Sequence, residues 1–245
     1  MDFPGLQAVA DRSALYAALR QTLLSDYLEE TLGEHRWGMN MEQGTFTFSQ
    51  VNGDRTIAAR AHLVASIAPG PRSMMWGWAH PQSGADNPVR RIRELGEQHR
   101  IADLTTAELP FTTDAVEDAL GQEIAALAHV VGAAAVEATR LSPYYSAPAS
   151  GGTRIVFLLE GLDVPRPTIT HIMTRTVPLL QAGEIRDHRS AVFGLAQHTD
   201  WGIAWNQDRS QVQLTDPASG TATIGFDQYG RITGISGDLK PAGQR

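Results

Sequence analysis

Ile57-Ala58-Ala59-Arg60-Ala61-His62-Leu63-Val64-Ala65-Ser66-Ile67 puts an apolar residue at every odd position, while Arg60, His62 and Ser66 fall on the other face. A period of two is that of a strand with one face against a core, so this stretch predicts a long half-buried strand. Pro69-Gly70-Pro71 supplies the turn chemistry to reverse the chain. The next extended stretch is Ser73-Met74-Met75-Trp76-Gly77-Trp78-Ala79. Upstream, Trp37 to Met41 and Thr45 to Ser49, the latter with Phe46 and Phe48 on one face, predict two further strands joined through Glu42-Gln43-Gly44. The outcome is an antiparallel meander of about four strands, an ordinary size for such a sheet.

Helical periodicity surrounds this meander. Leu15, Leu19, Leu23, Leu28 and Leu32 predict a helix over 14 to 32, with Ser13 as N-cap and Gly33 as stop. Asn87-Pro88 with Val89, Ile92 and Leu95 predicts a second helix over about 88 to 99. A third is expected from Asp114, with Glu117 completing a capping box and Val116, Leu120, Ile124 and Leu127 on one face. Ser142 to Gly152 reads as a loop leading into an apolar strand, Ile155 to Leu159. After Pro165-Arg166-Pro167 the chain predicts a helix kinked at Pro178, another over about 187 to 198, and a second meander over Trp201–Trp205, Gln211–Thr215, Thr221–Phe226 and Arg231–Ile235.

These elements predict an α+β protein of antiparallel meander sheets with helices packed on one face. Residues 1–160 and 161–245 are the expected lobes. Trp37-Gly38 and Trp201-Gly202 each stand between a helix and a meander, which suggests two pseudo-repeated lobes; helix-plus-meander also recurs by chance.

Composition narrows the chemistry. A chain of 245 residues with 42% hydrophobic and 19% charged residues has the material for a substantial core, in one domain or two. Its purely apolar runs are shorter than the roughly 20 residues that cross a bilayer, and Met1-Asp2-Phe3-Pro4-Gly5 has no basic, apolar leader, so a cytoplasmic protein is expected. The lack of cysteine removes disulfide and thiolate chemistry. Lys240 is the single lysine among 20 basic residues, which leaves lysine-based catalysis one tail residue, and the arginine bias suits a high-GC bacterial coding sequence. A net charge of −7 argues against nucleic acid and anionic membranes as partners. Arg90, Arg91 and Arg93 stand beside Glu94 and Glu97, as on a solvated helix face.

Spacings that force a mechanism, such as a phosphate loop, a dinucleotide fingerprint, a nucleophile elbow or a zinc helix, are absent. No cofactor or metal is expected. His188 and His198 flank one predicted helix and would stand about 15 Å apart, too far for one site. His62 could meet His35 or His80 across the meander as a metal or general-base trio; the alternative is a set of partly exposed strand histidines. Trp76 and Trp78 would share one face of their strand, either filling a core or walling an aromatic cleft, with His80 as one partner for an indole N–H. Tyr144 and Tyr145, in the expected loop, either anchor it or bind. The ligand-binding candidates are therefore Trp76, Trp78, His80, Tyr144 and Tyr145.

Trp37, the Phe46/Phe48 strand, Trp76-Gly77-Trp78-Ala79, Leu95-Gly96 and Tyr144-Tyr145 with Pro148 and Gly151-Gly152 follow one another in an order that resembles an uncharacterised bacterial domain-of-unknown-function family over about residues 10–160. That family pattern often has Asn after the Ala and Arg after the tyrosines; His80 and Ser146 stand there instead. The resemblance implies an architecture and no reaction. The expected function is a non-enzymatic module that binds a small ligand or a protein. The alternative is a cofactor-independent or metal-dependent enzyme using His and carboxylate groups gathered by the fold.

Overall fold

The computed structural model describes residues 2–81, 83, 86–113, 115, 117–183 and 185–240. It divides into two compact units, Met1–Ala10 with Leu24–Val164 and Asp11–Leu23 with Pro165–Arg245. Helix α1 (Pro4–Leu32) supplies its ends to the first unit and its middle to the second. It starts a full ten residues before the expected position, and Ser13 is buried inside it rather than capping it. The reason lies at its start. Pro4 suits the first helical position, and the Asp103 carboxylate accepts the otherwise orphaned Leu6 N–H at 3.0 Å.

The first unit continues through β1 (His35–Asn40), β2 (Thr45–Gln50), β3 (Thr56–Ala68) and β4 (Ser73–Trp76), then a single 3-10 turn at Gly77–Ala79. Helices α2 (Arg90–His99) and α3 (Ala102–Thr105) precede β5 (Glu108–Pro110), helix α4 (Glu117–Thr139), β6 (Tyr144–Pro148) and β7 (Arg154–Glu160). The cap expected at Asp114 and the apolar position Val116 lie outside the described residues. The strands form one antiparallel sheet organised by β3. One edge of β3 pairs with β7 from Arg60 to Ile67. The opposite edge pairs first with β2, up to Arg60, and then with β4, from Ala65.

The sheet is strongly curled. Phe46 on β2 and Tyr145 on β6 stand three strands apart in the order β2-β3-β7-β6, yet their ring centroids are 5.0 Å apart. A flat sheet would separate them by roughly 14 Å. The curl encloses Phe46, Phe48 and Phe157, all fully buried, while α4 packs against β3, β6 and β7. Among the described residues one stretch, Ala119–Thr139 of α4, is long and apolar enough to cross a membrane by length and composition; half of it is buried, as in a core helix.

The alternation that predicted β3 holds at Ala59, Ala65 and Ile67, which are buried. It fails at His62 and Val64, which are buried on the face expected to be polar. An irregularity between Leu63 and Ala65 inserts an extra residue opposite β7, and a bulge of this kind re-aims the side chains beside it.

The second unit comprises α5 (Ile169–Gln181, with Pro178 inside it), α6 (His188–Thr199), β8 (Gly202–Trp205), β9 (Gln211–Asp216), β10 (Gly220–Phe226) and β11 (Ile232–Leu239). The strands form an antiparallel sheet in the order β11-β10-β9-β8. Val212, Leu214, Ala222 and Ile224 face the core, where they meet Ile172 of α5, Val192 and Leu195 of α6, and Leu15 and Leu19 of α1. Gly194 lets α6 come close to α1, since a Cβ there would fall 1.5 Å from the Arg12 carbonyl oxygen. Thr168 and Asp187 cap α5 and α6 by accepting the His171 and Ser190 N–H groups.

Candidate functional site

Between Arg60 and Ala65 neither β2 nor β4 covers the second edge of β3. At one side of this break the Ala61 N–H donates to the Gly44 carbonyl at 2.8 Å, the last link to the β1–β2 turn. At the other side β4 ends, and the 3-10 turn crosses above Leu63. A Cβ on Gly77 would lie 1.9 Å from the Leu63 carbonyl oxygen, so only glycine permits this approach. A cleft of about 410 Å³ opens at the break. Arg60 to Leu63 form its floor, Met39 and Met41 to Gly44 one wall, and Ser83, Asp86 and Asn87 the other.

The second wall is tied to the turn and to the start of α2. Ser83 N–H donates to the His80 carbonyl at 2.9 Å, Asn87 Nδ2 donates to Ser83 Oγ at 3.1 Å, and Asn87 Oδ1 accepts the Val89 N–H at 3.1 Å. Helix α2 begins at Arg90, after Val89, with no side-chain cap, so Asn87 acts in the turn before the helix and shapes the cleft from there.

His62, only 6% exposed, lines the floor, and its Nε2 stands 3.0 Å from Glu160 Oε2 on β7. Glu160 pairs directly across from Arg60, so all three side chains share one face. A carboxylate in its ionised form only accepts, so this contact is made by an Nε2–H, and the neutral tautomer that carries it leaves Nδ1 as an acceptor. The arrangement can receive a donor from a ligand, or a proton.

The five residues singled out from sequence fall in different environments. Trp76 and Trp78 do not share a strand face, because β4 ends at Trp76 and Trp78 lies in the 3-10 turn. Trp76 is fully buried and its Nε1 donates to the Asp103 carbonyl at 2.9 Å, the role for which His80 was one candidate. Trp78 lies under the Arg93 guanidinium at 5.3 Å and lines a separate cavity of about 240 Å³ with Arg90, Glu94 and Glu97. Its Nε1 has no partner among the described residues. Arg93 and Glu97 pair at 2.8 Å on the exposed face of α2. His80 closes the turn, its N–H donating to the Gly77 carbonyl.

Tyr144 and Tyr145 lie on β6 and not in a loop, because Leu158 and Phe157 of β7 pair with them. Successive strand residues face opposite ways. Tyr144 is buried against α4 with its hydroxyl 2.7 Å from His129 Nδ1, while the half-buried Tyr145 packs against the buried Phe46 and Phe48 and the exposed Trp37. Burial pushes the Tyr145 hydroxyl pKa up, against a smaller downward pull from Arg154.

The histidine trio does not form. His35 is engaged with the Gly33 carbonyl at 2.7 Å and with the Phe48 ring. Among the described residues no group of three or more His, Asp or Glu is placed to hold a metal ion. His188 accepts the Ile232 N–H at 2.9 Å and His198 stacks on Tyr16 at 4.6 Å, two separate roles, as the helix length between them required. Sequence reasoning missed Glu160 as the partner of His62, and missed Met39, Glu42 and Asp86 as walls. The one available signal was a carboxylate placed directly after the apolar run Ile155–Leu159.

No curated protein and no solved structure matches the chain. The model of a family of unknown function, DUF6882, matches residues 7–162, a span that takes in every residue lining the cleft and Glu160 as well. The chain therefore belongs to the DUF6882 family.

Proposed function

We propose that this protein is a binding module and that its ligand, a small polar molecule, sits in the cleft on β3. The observation that supports this reading is the break in the pairing of β3, which gives the cleft a floor holding a buried, oriented imidazole. Polar groups convergent in a concave site are the usual mark of a ligand pocket. The net charge of −7 favours such a ligand, or a protein partner, over nucleic acid or an anionic membrane. The test is amide-resolved NMR of the full chain against a library of small polar molecules. The reading expects shifts confined to Gly44, Ala61, Leu63, Ser83 and their neighbours; shifts centred elsewhere, or none across the library, overturn it.

The His62–Glu160 pair favours catalysis as the second reading, since a carboxylate that orients an imidazole is a general-base arrangement. The same NMR samples discriminate. A ligand recovered chemically unchanged after prolonged incubation supports binding alone, and one converted at a rate that His62→Gln abolishes makes the protein an enzyme.

A further inference from the structure

Three charged side chains of both signs line the cleft. Arg60 rises from the floor, Glu42 stands on the β1–β2 turn and Asp86 on the opposite wall. All three are exposed, and none has a hydrogen-bond or ion-pair partner among the described residues. Glu160, by contrast, is committed to His62.

We infer that the cleft takes a free α-amino acid, with its carboxylate on Arg60 and its ammonium between Glu42 and Asp86. This inference rests on the cleft being the binding site. A guanidinium meets a carboxylate through two parallel hydrogen bonds, whereas an ammonium directs three donors and suits a pair of carboxylates from different elements. His62, with Nδ1 as acceptor, adds a neutral contact on the floor. Met39 and Met41 also line the cleft, and the adaptable surface of thioether side chains suits an apolar amino-acid side chain of variable shape. A ligand with only one of the two charges would leave its counterpart in the cleft unmatched, so the lining selects the zwitterion by charge complementarity.

The test titrates the full-length protein with the common amino acids while following the Gly44, Ala61 and Leu63 amides by NMR. Propionate and propylamine are the single-charge controls. The expected result is that one or more amino acids shift these amides, that neither control does so at the same concentration, and that Arg60→Gln and Glu42→Gln each weaken binding about tenfold, the usual size of one lost charge-assisted contact. Both substituted residues are exposed, and unchanged amide spectra away from the cleft verify that the variants fold. Propylamine or propionate binding as tightly as the best amino acid overturns the inference, as do variants that bind with unchanged affinity. If no amino acid binds while other molecules shift the same amides, the inference fails and the binding module stands. If nothing in any library shifts them, both fail.

Discussion

Gly77 rests on the backbone of Leu63: a Cβ built on it would lie 1.9 Å from the Leu63 carbonyl oxygen and 3.0 Å from that of Val64. The contact is with backbone, which cannot swing aside as a side chain would. Leu63 is itself held, since β3 pairs with β7 on one edge along this stretch. Gly77→Ala is expected to cost about 3 kcal/mol, the upper range for overpacking a filled site. The denaturation midpoint in urea reads the loss, and a midpoint within error of the parent would mean that the turn lifts freely from β3.

Removing Glu160 leaves a buried imidazole without its carboxylate. Because the Glu160 side chain is about half exposed, water partly replaces it, and Glu160→Ala is expected to cost about 1 kcal/mol. Nitrogen-15 NMR of His62 gives the sharper reading. The parent should show a protonated Nε2 with a bare Nδ1 in the neutral ring, and the variant a mixture of tautomers.

Tyr145 is expected to ionise above the ordinary tyrosine range, because burial among Trp37, Phe46 and Phe48 disfavours the phenolate more than Arg154 favours it. A proton held more tightly in the folded chain than in the unfolded one makes stability fall as pH rises from about 10 toward the folded pKa. Chemical denaturation at a series of alkaline pH values should show this decline, and Tyr145→Phe should flatten it. A parent and variant with parallel profiles would contradict the assignment.

Asp187 behaves in the opposite sense. Burial alone would raise its carboxyl pKa, but the Ser190 N–H at 3.0 Å and the Ser190 hydroxyl at 2.7 Å bring it below the ordinary carboxylate range. Its cap on α6 is therefore in place above about pH 4 and lost as pH falls through the depressed folded value. Asp187→Ala should cost about 1 kcal/mol at neutral pH. The difference from the parent should shrink in acid, measured by denaturant titration across that range.

Where one physical rule decided an element, the sequence could be read. The alternation of Ile57 to Ile67 predicted β3, and Gln211–Thr215 and Thr221–Phe226 predicted two strands of the second meander, where β9 and β10 lie. The misreadings arose where a second rule intervened. Alternation continued past residue 76 puts Trp78 on the Trp76 face, whereas β4 ends at Trp76 and Gly77 packs against Leu63 in a 3-10 turn. Tyr144 and Tyr145 stand amid proline, glycine and serine, and local composition outweighed the pairing with β7 that makes them a strand. The His62–Glu160 pair depends on the register between β3 and β7, and that register includes a bulge at Val64; neither is written in either segment alone. The walls of the cleft were illegible for the same reason, since they consist of turns whose meeting point is set by where β2 stops and β4 begins.

The sharing of α1 between the two units constrains the order in which the protein can be made. Helix α1 is made before β1 to β7, yet Leu15 and Leu19 share a core cluster with Ile172, Leu195 and Leu214, which are synthesised after β7. A nascent chain that has just completed β7 holds every strand of the first sheet but still carries this uncovered leucine stripe. The second unit, in turn, cannot be recovered by cutting before Pro165, because such a fragment lacks one wall of its own core. Any division of this protein into independently produced halves must therefore keep residues 11–23 with both, or supply them twice.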